Sequence, residues 1–233
     1  MPPIELVTLD CADTLLKVKW IPHEFATDCV AKLGIEVDVP VAQSLYRRLL
    51  GSRWAEYQRR HVECDTETCR NWWRELTIDW LDQLQIPVAR TEEVVQTADK
   101  MLYTKSGPYF HLFDDVLPTL DGLKEQGIKL AVVSNWDYSL HRILEVWELT
   151  PYFDFVVASL EFGVEKPEPA IFLHALQNMG VEPGSAIHVG DNPLDDVHGA
   201  QQVGMQARLI DRSLPVRDGH RLSSLTQLLD DLN

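Results

Sequence analysis

Two hydrophobic rhythms divide this chain. Ile4-Glu5-Leu6-Val7-Thr8-Leu9 is a short apolar run with β-branched members, the composition of a buried strand, and Asp10, Asp13 and Thr14 follow it directly. From about Trp20 to Lys105 the spacing turns helical. Pro22 starts a helix that Gly34 ends, and a second spans about Val41 to Arg59. A third begins near Asp65, where Asp65-Thr66-Glu67-Thr68 supplies a cap and an acidic first turn, and a fourth runs from Thr91 to Leu102 behind a Thr-x-Glu-Glu signal. On the third helix Cys69, Trp73, Leu76 and Trp80 fall on one face and are expected in a local core, whereas Trp72 is expected to be partly exposed. Nothing here alternates with period two, so this region reads as a helical insertion with its own core.

From about Leu112 helices and strands alternate. Helix Val116 to Gln126 leads through Gly127 to strand Lys129 to Ser134, and helix Tyr138 to Trp147 leads to strand Phe155 to Ala158. Helix Pro169 to Met179 stops at Gly180 before strand Ala186 to Val189, and helix Pro193 to Val203 stops at Gly204 before strand Gln206 to Ile210. A closing helix is expected over Ser223 to Asp231. Helices that end in glycine and feed short β-branched runs are βα units around a parallel sheet. The opening strand therefore belongs with the later units. One domain is expected from residues 1–16 and 108–233, interrupted by a helical domain over 17–107.

Charge narrows the partners. Against 21 Lys and Arg stand 36 Asp and Glu, a formal net charge of −15. That lacks the positive footprint needed for nucleic acid or an anionic membrane. No signal peptide or long apolar span is apparent, which makes the cytoplasm the expected location. The four cysteines, Cys11, Cys29, Cys64 and Cys69, have no metal-binding or redox spacing and are expected as reduced structural thiols.

Candidate chemistry emerges where strands end, because the strands of a parallel sheet deliver their carboxyl ends to one edge. Asp10 follows the first strand, and Ser134-Asn135 the strand Leu130-Ala131-Val132-Val133. Lys166 lies in Glu165-Lys166-Pro167-Glu168-Pro169, and Gly190-Asp191-Asn192-Pro193-Leu194-Asp195-Asp196 follows the strand containing His188. Each stretch has an ordinary reading as a turn or a helix cap. Together they bring carboxylates, a hydroxyl and an ammonium to one point, a set suited to phosphoryl transfer. Carboxylate oxygens suit Mg²⁺, cations offset phosphate charge, and a carboxylate can attack phosphorus.

In their order, LVTLDCADTL, KLAVVSN, FGVEKPEPAIF and IHVGDNPLDDVHGA closely resemble the four motifs of the haloacid dehalogenase-like superfamily with a type-one helical cap. The likeness covers the predicted core, and its nearest form is the subgroup whose first motif reads D-x-x-D-T-L. It implies a Rossmann-like α/β core, with a parallel sheet of five strands or slightly more, and an inserted all-helical cap. It further implies Asp10 as nucleophile, Ser134 as the hydroxyl of the second motif, Lys166 as the lysine of the third and Asp196 as a carboxylate supporting it. Asp10, Asp191 and the backbone carbonyl of Ala12 are the implied Mg²⁺ ligands. Ser134, Asn135, Thr14 and Lys166 are the implied contacts to a small phosphorylated substrate.

One position departs from the pattern. Phosphatases of this superfamily carry D-x-D-G-T, whose second aspartate protonates the leaving group, and here that position is Ala12, followed by Asp13 where glycine is usual. The expected activity is therefore a weak Mg²⁺-dependent phosphatase. The alternative is a catalytically silent protein that binds a phosphorylated ligand or a protein partner. Dehalogenase chemistry is disfavoured because Asp191 is present, and phosphonatase chemistry because no lysine lies between Lys32 and Lys100.

Overall fold

The computed structural model describes residues 2–63 and 66–232. The cap expected at Asp65 and the thiol of Cys64 lie outside the described residues. In chain order, β1 (Leu6–Leu9) and β2 (Leu16–Val18) precede α1 (Pro22–Lys32), α2 (Val39–Glu63), α3 (Thr66–Gln83) and α4 (Thr91–Leu102). Then come β3 (Phe110–Leu112), α5 (Val116–Glu125), β4 (Lys129–Ser134), α6 (Ser139–Val146), β5 (Phe155–Ala158) and α7 (Ser159–Phe162). The chain closes with α8 (Pro169–Met179), β6 (Ala186–Gly190), α9 (Gly199–Gln202), β7 (Gln206–Ile210), β8 (Arg221–Leu222) and α10 (Gln227–Leu232). The backbone divides into two compact units, residues 1–18 with 111–233 and residues 19–110.

The first unit is the expected α/β architecture. Its sheet has six parallel strands in the order β5-β4-β1-β6-β7-β8, so β1 is central, flanked in register by β4 (Leu9 beside Val132) and β6 (Leu9 beside Val189). Burial on both faces explains why β1 reads as unbroken apolar sequence rather than an alternation. On one face Leu6, Ala131, Val133 and Ala186 pack with Ile171, Phe172, Ala175 and Leu176 of α8, which presents its apolar stripe to the sheet. The expected helix over Pro193 to Val203 forms in two parts. A wide π-type turn over Pro193–His198 leads into α9, and the Asn192 carboxamide oxygen caps it by accepting from the backbone N–H groups of Leu194 (2.9 Å) and Asp195 (3.1 Å).

A polar brace ties the turn after β1 to the C-terminal segment. Asp115, at the start of α5, accepts from Arg212 Nη1 (2.9 Å), Ser224 Oγ (2.8 Å) and the Leu225 backbone N–H (2.8 Å). Burial raises the carboxyl, but Arg212 and Ser224 hold it below the usual carboxylate range. Arg212 also donates Nη2 to the Thr14 carbonyl (2.5 Å) and lies over the Phe113 ring, 3.6 Å from its centroid. Replacing Asp115 with Ala removes three acceptor contacts at once. About 1.5–3 kcal/mol of stability should be lost, the range for hydrogen bonds to a charged group. Urea denaturation reads the loss, and a change below about 0.5 kcal/mol, the scale of ordinary surface substitutions, would show the brace to be ornamental.

In the second unit, α1 to α4 bury an aromatic cluster. Trp72 and Trp80 are fully enclosed, and Tyr57 packs between Trp72 and Trp73 with ring centroids 4.4 and 5.1 Å away. This corrects the expected stripe. Cys69, Trp72, Leu76 and Trp80 form the buried line, while Trp73 is half-buried and donates Nε1 to Tyr57 Oη (2.7 Å). Steps of three, four and four residues keep the line on one face, and the apolar pattern fits equally with either tryptophan one position apart. Among the cations of this unit, Arg48 is engaged with Gln83 and Arg70 with Asp99. Cys11, Cys29 and Cys69 are buried free thiols, and burial pushes Cys29 up to about 12. Among the described residues no helix is long and apolar enough to cross a membrane.

Candidate active site

The carboxyl edge of the sheet gathers the strand-end residues into a buried polar cluster. Register alone brings Asp10 beside β6, and its backbone N–H donates to the Val189 carbonyl (2.9 Å). Its Oδ1 accepts from Ser134 Oγ at the end of β4 (2.8 Å) and from Lys166 Nζ (2.7 Å). Lys166 also donates to Asp196 Oδ1 at 2.5 Å, so its ammonium bridges two carboxylates. All four groups are at most 5% exposed. Burial alone would lower the Lys166 ammonium, yet Asp10 and Asp196 raise it above the ordinary lysine value. Asp196 is the converse case. Burial pushes it up, but the bonds from His188 and Lys166 outweigh that and hold it below the usual carboxylate range.

Asp191 follows β6 with its side chain reaching solvent. Partial enclosure, and then the charges of Asp10, Asp196 and Asp13, push it up to about 6. One carboxylate oxygen from each of Asp10, Asp191 and Asp196 lies within 4.8 Å of the others. Hard oxygen donors crowded with excess negative charge fit a divalent cation such as Mg²⁺, which would offset the neighbouring charges that add to the effect of burial on Asp191. Proton and metal then compete. Mg²⁺ affinity should be nearly constant above pH 7 and fall towards tenfold per pH unit below about 6. Calorimetric titration of Mg²⁺ across that range checks this, and a flat profile would mean Asp191 is not a ligand.

Asn135 holds Lys166 by its backbone: the amide donates to the Lys166 carbonyl (3.0 Å) and accepts from its N–H (2.7 Å). Thr14 is fully buried, and its hydroxyl oxygen has no partner among the described residues. Ala12 is half-buried in the turn between β1 and β2. Asp13 sits at φ +48°, a region aspartate tolerates, and its Oδ1 accepts from the Val18 backbone N–H (3.2 Å), as a turn residue does. Asp195 accepts from Asn192 Nδ2 (2.8 Å).

Two contributors escaped the sequence reading. Gly190 makes room for Asp196, since a Cβ there would lie 2.1 Å from Asp196 Cγ. Gly190→Ala must displace Asp196 and strip Lys166 of a partner. Stability should drop by about 1–3 kcal/mol, as for other overpacked sites, with any turnover reduced at least tenfold. Wild-type activity in this variant would show that Asp196 need not stay where it is. The second is His188, fully buried in β6 and bonded to Asp196 Oδ1 through Nε2 (3.0 Å). Its only trace in the sequence is a polar residue inside the apolar run Ala186-Ile187-His188-Val189.

Known proteins resemble this chain in sequence and in fold. A sequence model of the family "haloacid dehalogenase-like hydrolase" matches residues 4–204. The chain is 34% identical to haloacid dehalogenase-like hydrolase domain-containing protein 3 of Mus musculus, over 99% of this chain and 94% of that protein. With the phosphoglycolate phosphatase of Aquifex aeolicus it shares 32% identity over 60% of this chain and 69% of the other. The crystal structure of a 2-haloacid dehalogenase from Pseudomonas syringae superposes with a TM-score of 0.69 at 26% identity, covering 98% of each chain.

Proposed function

This chain belongs to the haloacid dehalogenase-like hydrolases, and from that membership we propose that it is a weak Mg²⁺-dependent phosphatase acting on a small phosphorylated molecule through Asp10. The observation that carries the reading is the buried set in which Lys166 and Ser134 aim Asp10 beside the Asp191 and Asp196 carboxylates. Among the described residues both side-chain bonds to Asp10 fall on Oδ1, which fixes the plane of the carboxylate and leaves Oδ2 open. An attacking carboxylate oxygen would form a bond to phosphorus as the ester oxygen leaves with its electron pair, giving an aspartyl phosphate that water then cleaves. Bound Mg²⁺ supplies positive charge for the phosphoryl oxygens. Asp10, Asp191 and the Ala12 carbonyl would hold it. Lys166 offsets charge on Asp10 and the transferring group, and Ser134 donates a hydrogen bond to the same centre.

Ala12 sets the selectivity. With no acid at this position the leaving oxygen departs unprotonated, so aryl and acyl phosphates should outrun alkyl phosphates. The related phosphoglycolate phosphatase supports phosphate ester chemistry, and Asp191 supports a metal rather than a dehalogenase reading. A cytoplasmic setting belongs to the same proposal, and the buried free thiols suit it.

A panel of aryl, acyl and alkyl phosphates with Mg²⁺, and with the metal chelated, tests the proposal. Turnover is expected to be faster on the first two classes and slow on the third, and lost on all three when the metal is chelated. If none turns over while beryllofluoride binds with Mg²⁺, Ala12 marks a protein that recognises phosphorylated ligands without hydrolysing them.

A further inference from the structure

Behind the Lys166–Asp196 pair lies a second layer that the proposed chemistry does not use. Thr8 and His188 stand beside each other in the register of β1 and β6, and Asp10 and Gly190 follow two residues on, on the same face of the sheet. Gly190 leaves a hole that Asp196 fills, and the His188 ring lies beneath that hole with neither residue more than 1% exposed. Both ring nitrogens are engaged, Nε2 with Asp196 Oδ1 (3.0 Å) and Nδ1 with Thr8 Oγ1 (2.8 Å), while Phe172 packs against the ring in a T-shaped contact with 5.1 Å between centroids. Valine or isoleucine would serve a purely structural strand at no desolvation cost, whereas a buried imidazole is tolerated only when its nitrogens are satisfied. Asp196 accepts only, so Nε2 carries the proton of that bond. Asp196 is then held from three sides, by His188 and Lys166 on Oδ1 and by the Asn192 backbone N–H on Oδ2 (2.9 Å).

We infer that His188 is a positioning residue, which with Thr8 behind it keeps Asp196 aimed at Lys166 and so keeps the Lys166 ammonium on Asp10. The inference rests on the reading that Lys166 serves the chemistry of Asp10. Loss of the outer partner that orients a metal ligand typically costs 10- to 100-fold in affinity or activity, and the same scale is expected for the partner that orients Asp196. His188→Leu fills the volume without a donor, and His188→Gln restores an amide donor near the position of Nε2.

The full chain with Mg²⁺ is assayed on an aryl phosphate, and in parallel the proton exchange rate of the Lys166 ammonium is followed by nitrogen-15 NMR, its signal identified by its loss in Lys166→Met. In His188→Leu, kcat should fall about 10- to 100-fold with KM within about twofold, and Lys166 exchange should quicken at least about tenfold. His188→Gln should recover most of both. Lys166 exchange within about twofold of wild type in a folded His188→Leu would overturn the inference, as would a Gln variant no better than Leu at equal melting temperature. Should the wild type turn over no phosphate at all, the phosphatase reading fails, and the exchange comparison alone decides for or against His188.

Discussion

Asp10→Asn should abolish turnover, lowering it by at least about a thousandfold, while the folded protein survives. Removing a nucleophile is among the costliest single changes to an enzyme. Asparagine has the shape of aspartate, so the packing around β1 need not move. Its amide nitrogen is a poor nucleophile, and its oxygen carries no net charge to attack with. The electrostatic consequence is local: Lys166 loses one of its two carboxylates and keeps Asp196 at 2.5 Å. Because that ammonium is buried, the variant should lose some stability, on the order of the 1.5–3 kcal/mol of a charged hydrogen bond, yet remain cooperative in thermal melts. Mass spectrometry of rapidly quenched wild type should find a phosphoryl group on Asp10, absent in the variant. Retained turnover in Asp10→Asn would remove Asp10 as nucleophile and shift attention to water activated by the remaining carboxylates.

That such a test can be aimed at one atom pair reflects which features the chain displays openly. Parallel strands end at one edge, so Asp10, Ser134, Lys166 and Asp191 could be assembled without coordinates from four short motifs. Several strand and helix limits, such as Lys129–Ser134 and Pro169–Met179, match the spans expected from proline starts and glycine stops. What stayed hidden has physical reasons. β8 is two residues long, too short for any periodicity, and exists because β7 offers it an edge. The exchange of Trp72 for Trp73 in the buried line turns on a rotation of one residue that apolar spacing does not resolve. His188 and Gly190 act through contacts across β1, β6 and the turn beyond, so each looks ordinary within its own strand. The Asp115–Arg212 brace joins residues 97 apart and begins from loop positions that carry no pattern at all.

Ala12→Asp should raise turnover on alkyl phosphates by about tenfold or more, and much less on aryl phosphates. General acid catalysis is worth about 10² to 10⁴ in rate, or roughly 3–5 kcal/mol of barrier. The full amount is not expected, because the turn has been built around alanine. Ala12 is half-buried and bridged to Leu16, and the next residue, Asp13, is committed to the Val18 backbone at a left-handed φ. The contrast between substrates is the sharper half of the prediction. An alkoxide leaving group needs a proton in the transition state and gains from an acid, whereas a phenoxide bearing electron-withdrawing groups leaves without one. Steady-state kcat on a matched pair, one alkyl and one nitroaryl phosphate, with the same Mg²⁺ concentration, separates the explanations. Equal gains on both would mean that the new carboxylate acts by binding metal or by reshaping the turn. No gain on either would place the limit elsewhere than at position 12, and the Asp10 centre would then be better described as a phosphate-recognition site than as a catalyst awaiting one side chain.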